Sequence, residues 1–95
     1  FATALQTNKL LKPQYTEMLT AGKVDTTFGG KYAYGFQEAS VNGTRCFGHG
    51  GGAPGMNGEL KICPAPGYVV AVLSNLDPPA AARVADFITN RLPIK

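Results

Sequence analysis

Cys46-Phe47-Gly48-His49-Gly50-Gly51-Gly52-Ala53-Pro54-Gly55 is the stretch on which the reading of this chain turns. The dipeptide Asn42-Gly43 just ahead of it suits a two-residue turn, since both central residues tolerate positive φ, so a preceding strand folds back onto Thr44 to His49. Beyond the glycines, Asn57 to Cys63 alternates, with Leu60 and Ile62 on one face and Glu59 and Lys61 on the other, as a half-buried antiparallel strand does. With the glycine loop centred near Pro54, residues near 46 and 63 fall opposite one another. Cys46 and Cys63 are therefore expected as cross-strand neighbours, either as two buried thiols or as a disulfide. The stretch also holds the only histidine. Gly48, Gly50, Gly51 and Gly52 around that imidazole leave the strand barer than packing requires, and bare backbone marks a place where a ligand or another chain approaches closely.

Working outward, Lys31 to Gln37 has a period of two, which predicts a strand with Tyr32, Tyr34 and Phe36 on its core face; Tyr34 is the one that can also line a cleft. Two helices precede it. One over Phe1 to Leu11 turns Phe1, Ala4, Leu5 and Leu11 inward, and one over Pro13 to Thr20 turns Tyr15, Met18 and Leu19 inward, with Gly22 as a stop. Downstream, Pro64 to Gly67 is turn chemistry. Tyr68 to Leu73 is apolar at every position, which predicts a strand covered on both faces in the middle of the fold. Asp77 as cap and Pro78 as first residue open a closing helix with Val84, Phe87, Ile88 and Leu92 on its buried face, ending before Pro93. The connections are too short for parallel crossovers. The expected fold is α+β, an antiparallel sheet of about four strands with N-terminal helices and a C-terminal helix packed on it, one domain over residues 1–95.

Composition narrows the function classes. The net charge of +3 comes from nine basic residues strewn singly from Lys9 to Lys95, which gives no basic patch for nucleic acid. The longest apolar run, Tyr68 to Leu73, is too short to span a bilayer. Two cysteines make no framework that reveals a redox compartment, and localisation is not readable. The chain opens on Phe1 without an initiator methionine, so it is expected to be a piece of a longer protein or a processed product. Gly50 to Gly55 formally matches G-x-G-x-x-G, but Gly58, Pro64, Pro66 and Gly67 leave no helix for a pyrophosphate to sit on. Cys46, His49 and Cys63 lack a fourth metal ligand and a C-x-x-C pair, so neither a metal nor another cofactor is expected.

Three runs together resemble a family: Tyr-Ala-Tyr-Gly-Phe at 32 to 36, Phe-Gly-His-Gly-Gly-Gly-Ala-Pro-Gly-Met at 47 to 56, and Cys-Pro-Ala-Pro-Gly-Tyr-Val-Val-Ala-Val-Leu-Ser-Asn at 63 to 75. They are similar to the C-terminal part of serine hydrolases related to class C β-lactamases, a family with D-alanyl-D-alanine carboxypeptidases, penicillin-binding proteins and β-lactamase-like esterases. The resemblance implies a partial β-lactamase-like fold and acyl transfer through an acyl-serine on a small-molecule or peptide-like acyl substrate. His49-Gly50-Gly51 matches the family's His-x-Gly on the strand lining the cleft. By that resemblance His49 polarises the site or contacts substrate, Gly50 and Gly51 admit the substrate beside the strand, and the Gly52 amide is one of two oxyanion donors. No Ser-x-x-Lys and no Tyr-x-Asn occurs in the 95 residues. The family's order places them before this piece, so the chain alone is expected to be inactive and to belong with an N-terminal half. Without that half, Tyr68 to Leu73 would be an uncovered edge prone to self-association. The reading from a different class is a non-catalytic module that binds a peptide or partner protein along the bare strand.

Overall fold

The computed structural model describes residues 1–27 and 29–93. Two short helices, α1 (Ala2–Gln6) and α2 (Pro13–Thr20), are followed by six strands and a closing helix. The strands are β1 (Val24–Asp25), β2 (Lys31–Tyr32), β3 (Gln37–Val41), β4 (Thr44–Ala53), β5 (Met56–Cys63) and β6 (Tyr68–Ser74), and the helix is α3 (Ala80–Thr89). The strands form one sheet in the order of the sequence, each pair antiparallel. The α+β class and the antiparallel meander are as expected; the strand count is larger, by β1 and by the division of one expected strand, which has a local cause. Gly35 takes a φ of +86°, and the Ala33 N–H donates to the Phe36 carbonyl at 2.7 Å. The predicted strand over Lys31 to Gln37 is thus a hairpin, in which β2 and β3 flank a turn that only glycine enters without strain. The break also turns Ala33 inward and leaves Tyr34 exposed, so the three aromatic residues do not share one core face.

Two further tight turns are in the right places. Asn42 and Gly43 both have positive φ, 50° and 80°, as the two-residue hairpin requires. Pro54 and Gly55, the latter at φ +79°, join β4 to β5 directly, so Gly50 to Ala53 lie within the strand rather than in a loop. Cys46 and Cys63 meet at the other end of that hairpin with their Cα atoms 4.3 Å apart and form a disulfide.

Paired residues share a face of a sheet, and that divides the molecule. Phe47, His49, Gly51 and Ala53 stand on the same side as Leu60 and Ile62. There Leu5 of α1 packs with Phe47 and Ile62, with Ala2, Leu19, Phe36 and Leu60 around them. Each fully buried side chain of this cluster contributes about 1.5 to 3 kcal/mol. The opposite side carries Asn57, Lys61 and Val70 and receives α3, whose Asp86 pairs with Lys61 at 2.6 Å.

The helices depart from their predicted faces. α1 ends at Gln6, and Asn8 at φ 60° turns the chain away, so the expected helix to Leu11 is cut short and Leu11 is exposed. In α2, Tyr15 and Met18 are exposed, and Leu19 is the expected residue that turns inward. In α3 the packed positions are Ala81, Ala85 and Thr89, at i, i+4 and i+8, while Val84, Phe87 and Ile88 are exposed. Small residues let the helix axis approach the sheet, which the bulkier stripe would hold off. Asp77 does not cap α3. Its Oδ1 accepts the Gly55 N–H at 2.5 Å, and the first free N–H groups of the helix, those of Ala81 and Ala82, donate to Asn57 Oδ1 at 2.7 and 3.3 Å. Finally, Tyr68 to Leu73 is not central. β6 is an edge of the sheet, and Leu73 is 91 % exposed. Among the described residues, no helix is long and apolar enough to cross a membrane.

Candidate functional site

The candidate site is the half of β4 that β3 does not reach. β3 begins at Gln37, opposite Gly48, because the turn at Ala33 to Phe36 reverses the chain there. His49 to Ala53 therefore pair with β5 alone and present their other edge. Which backbone groups face that edge follows from the two turns. A two-residue hairpin closes on a hydrogen-bonded pair, and such pairs recur at every second residue. Starting from Ala53 and Met56, the hydrogen-bonded partners of β5 are Ala53, Gly51, His49 and Phe47. Starting from Val41 and Thr44, the partners of β3 are Thr44, Cys46 and Gly48. Both counts agree, so the N–H and C=O of Gly50 and Gly52 point outward along the unpaired edge. The close Cα approach of Cys46 and Cys63 fits the same parity, since non-hydrogen-bonded pairs are the closer ones.

The four glycines around His49 divide by cause. A Cβ on Gly48 would fall far inside contact distance of the Leu60 carbonyl oxygen, so the two backbones need glycine there. At Gly50 a Cβ would meet the Glu59 carboxylate, and at Gly52 it would meet Pro78 Cγ at 2.5 Å and Asn57 Nδ2 at 3.2 Å. Gly48 is thus required by the backbone of β5 and Gly52 by Pro78 and Asn57, which explains two of the four by packing, contrary to the expectation that the whole run is too bare for that; at Gly50 only the end of the flexible Glu59 side chain stands in the way. Gly51 is different. A Cβ there meets nothing within 4 Å, and its φ is not in the left-handed region. It stands on the same face as His49, two residues away, and opens onto a cavity of about 440 Å³ lined in part by Ala53, Met56, Gly58 and Leu73.

His49 is exposed, and both of its ring nitrogens have a neighbour. Nδ1 lies 2.5 Å from the outward carbonyl of Gly50, and Nε2 lies 3.4 Å from the Tyr32 hydroxyl. A carbonyl can only accept, so Nδ1 carries the proton and the neutral ring offers its Nε2 lone pair. Tyr34, the aromatic residue expected beside the cleft, is exposed under the ammonium of Lys23, 4.9 Å from its ring centre. Tyr32 reaches His49 in its place, and period-two reading hid this by assigning it to the core. The cysteines are joined to each other and stand on the other face from His49, so they do not form a ligand set with it. Among the described residues no cluster of three or more His, Cys, Asp or Glu side chains could hold a metal ion.

Glu59 lies beneath Gly50 on the α3 side. Burial pushes its carboxyl above the ordinary value of 4.5 and Asp86 adds to this, while Lys61 and His49 pull it back. A raised folded-state value means that the folded chain binds this proton more tightly than the unfolded chain does. Stability from this group is then lost as pH rises from about 4.5 through the folded value. Glu59→Gln is expected to flatten that decline and to melt above wild type at pH 7. Parallel melting curves at pH 4 and pH 7 check it, and an unchanged difference between the two proteins refutes it.

Comparison with protein-family models, with curated proteins and with solved structures finds no match for this chain.

Proposed function

We propose that this chain is the C-terminal portion of a β-lactamase-related serine hydrolase whose cleft is bordered by the unpaired edge of β4. The observation that carries the reading is Gly51, a residue with no packing reason to lack a side chain, two positions from the only imidazole and beside an open strand edge. A peptide-like acyl substrate would lie along that edge and pair with the outward groups of Gly50 and Gly52, as extended peptides add to sheet edges. The Gly52 N–H would then serve as an oxyanion donor to the tetrahedral intermediate, an interaction worth about 3 to 4 kcal/mol in such sites. His49, through Nε2, would polarise the substrate or exchange a proton with it. The nucleophilic serine and its activating lysine would come from the N-terminal half, outside these 95 residues.

The test is His49→Ala in the full-length parent. Turnover of an activated ester is expected to fall at least about tenfold, the scale of a lost acid–base or electrostatic contact, with circular dichroism unchanged. Equal turnover in the folded variant would make His49 structural.

The same open edge of β4 also supports a second reading, a non-catalytic module that binds a peptide or partner protein along it. Ser40 is paired opposite Arg45, and Ser74 Oγ accepts the Leu76 N–H at 3.1 Å, so neither serine is placed on His49, which agrees with both readings. A serine-directed acylating probe separates the two readings: labelling of an upstream serine in the parent supports the hydrolase, and a parent without a reactive serine supports the module. The edge of β6, apolar and without charge, favours self-association of the isolated chain, as expected of an open edge. Sedimentation at micromolar concentration measures this, and a monomer removes it.

A further inference from the structure

We propose that Tyr32 is a positioning residue for His49: its hydroxyl, hydrogen-bonded to Nε2, holds the imidazole in the plane in which Nδ1–H donates to the Gly50 carbonyl, and that contact fixes the tautomer. The inference rests on the reading that His49 faces the substrate, and it adds a residue to the site that neither the family motif nor the periodicity of the sequence points to. Three observations carry it. The two ring nitrogens are engaged at once, at 2.5 Å by Gly50 and at 3.4 Å by Tyr32. The rings pack edge to face, with centres 6.0 Å apart and planes at 81°, so packing and polar contact select the same orientation. The backbone of Tyr32 is also held from both sides. It pairs with Val24 of β1 and Gln37 of β3, and its carbonyl accepts the Lys23 N–H at 2.9 Å.

The short strand β2 therefore delivers one phenol to the end of the open β4 edge. A hydroxyl suits the place because it can donate to the neutral ring and accept from the protonated one, so His49 keeps its orientation while it gains or loses a proton. Phenylalanine would retain the packing and remove that partner.

The chain has one histidine, so ring-nitrogen NMR of the uniformly ¹⁵N-labelled 95-residue protein reports His49 alone. At about pH 9, above the ordinary imidazole range, wild type is expected to show the Nδ1–H tautomer as the major form. Tyr32→Phe frees the ring to turn away from the Gly50 carbonyl, so the tautomer ratio is expected to shift toward Nε2–H by about threefold, the scale of one modest hydrogen bond, while the backbone amide spectrum stays otherwise unchanged. A wild-type ring that is mainly Nε2–H overturns the proposal, and so does a folded Tyr32→Phe with the wild-type ratio. If the variant does not fold, wild type still decides: nuclear Overhauser contacts between the His49 and Tyr32 rings are expected, and their absence overturns the proposal. No substrate enters the measurement, so failure of the hydrolase reading would appear in the His49→Ala kinetics and not here.

Discussion

Gly48→Ala is expected to destabilise the chain by about 3 kcal/mol or more, and Gly51→Ala, three residues along the same strand, to leave stability within about 0.5 kcal/mol of wild type. The contrast comes from what each new methyl group meets. At position 48 it would run into the carbonyl of Leu60, a backbone atom that cannot move without parting β4 from β5. At position 51 it enters open space. A chain of this length has a total stability of roughly 5 to 14 kcal/mol, so the first substitution removes a large share, a fall in melting temperature of about 12 to 24 °C. Thermal unfolding followed by circular dichroism reads both. Gly51→Ala carries the functional half of the prediction: on the hydrolase reading proposed above, it is expected to lower kcat/KM of the full-length parent at least about tenfold while the melting temperature holds, because the methyl group would stand where that reading puts the bound substrate. A stable Gly48→Ala would refute the close approach of the strands, and a fully active Gly51→Ala would remove the observation on which the proposed site rests.

Reduction of the Cys46–Cys63 disulfide is expected to cost about 3 kcal/mol, the chain-entropy value for a closed loop of about this length, since the two residues are 17 apart. Both cysteines are buried, so reductant reaches the bond when the hairpin opens, and the double variant Cys46→Ala/Cys63→Ala offers an independent route. The bond closes the β4–β5 hairpin at the end away from Pro54-Gly55, which pins the register along its whole length. That register sets the face on which His49 stands, because a slip of one residue would send every side chain of β4 to the other side. Melting curves with and without reductant at one pH should differ by roughly 12 to 24 °C. Coincident curves, with reduction verified by thiol titration, would show that the hairpin is held by other contacts alone.

The parts of the fold that were legible in the sequence are those set by neighbours along the chain. Asn42-Gly43 specified a tight turn because both residues accept positive φ, and the alternation of Leu60 and Ile62 with Glu59 and Lys61 specified a strand, though α3 covers the face that alternation left to solvent. From the turn near Pro54 the opposition of residues 46 and 63 followed by counting. The imidazole and the glycines of the candidate site were visible as residue types, and the open edge beside them was not.

What only the tertiary structure decided depends on groups far apart in sequence or on small side chains that carry little hydrophobic signal. The cap of α3 comes from Asn57, 24 residues before Ala81, so the nearby Asp77 was the local choice and the wrong one. Ala81, Ala85 and Thr89 face the sheet because their small size permits close approach, a quantity that hydrophobic periodicity does not weigh. Tyr68 to Leu73 looks central because each residue is apolar, yet the ladder ends with it. Tyr32 reaches His49 because one glycine at positive φ folds a single expected strand into two, and the same turn stops β3 short and opens the edge of β4. The sequence by itself thus determined the strands β4 to β6, the turns at Asn42-Gly43 and near Pro54, and the opposition of the two cysteines. Which faces touch, which edges stay open and which glycine is free of contact were settled by packing, because burial and backbone pairing are satisfied between segments and not within them.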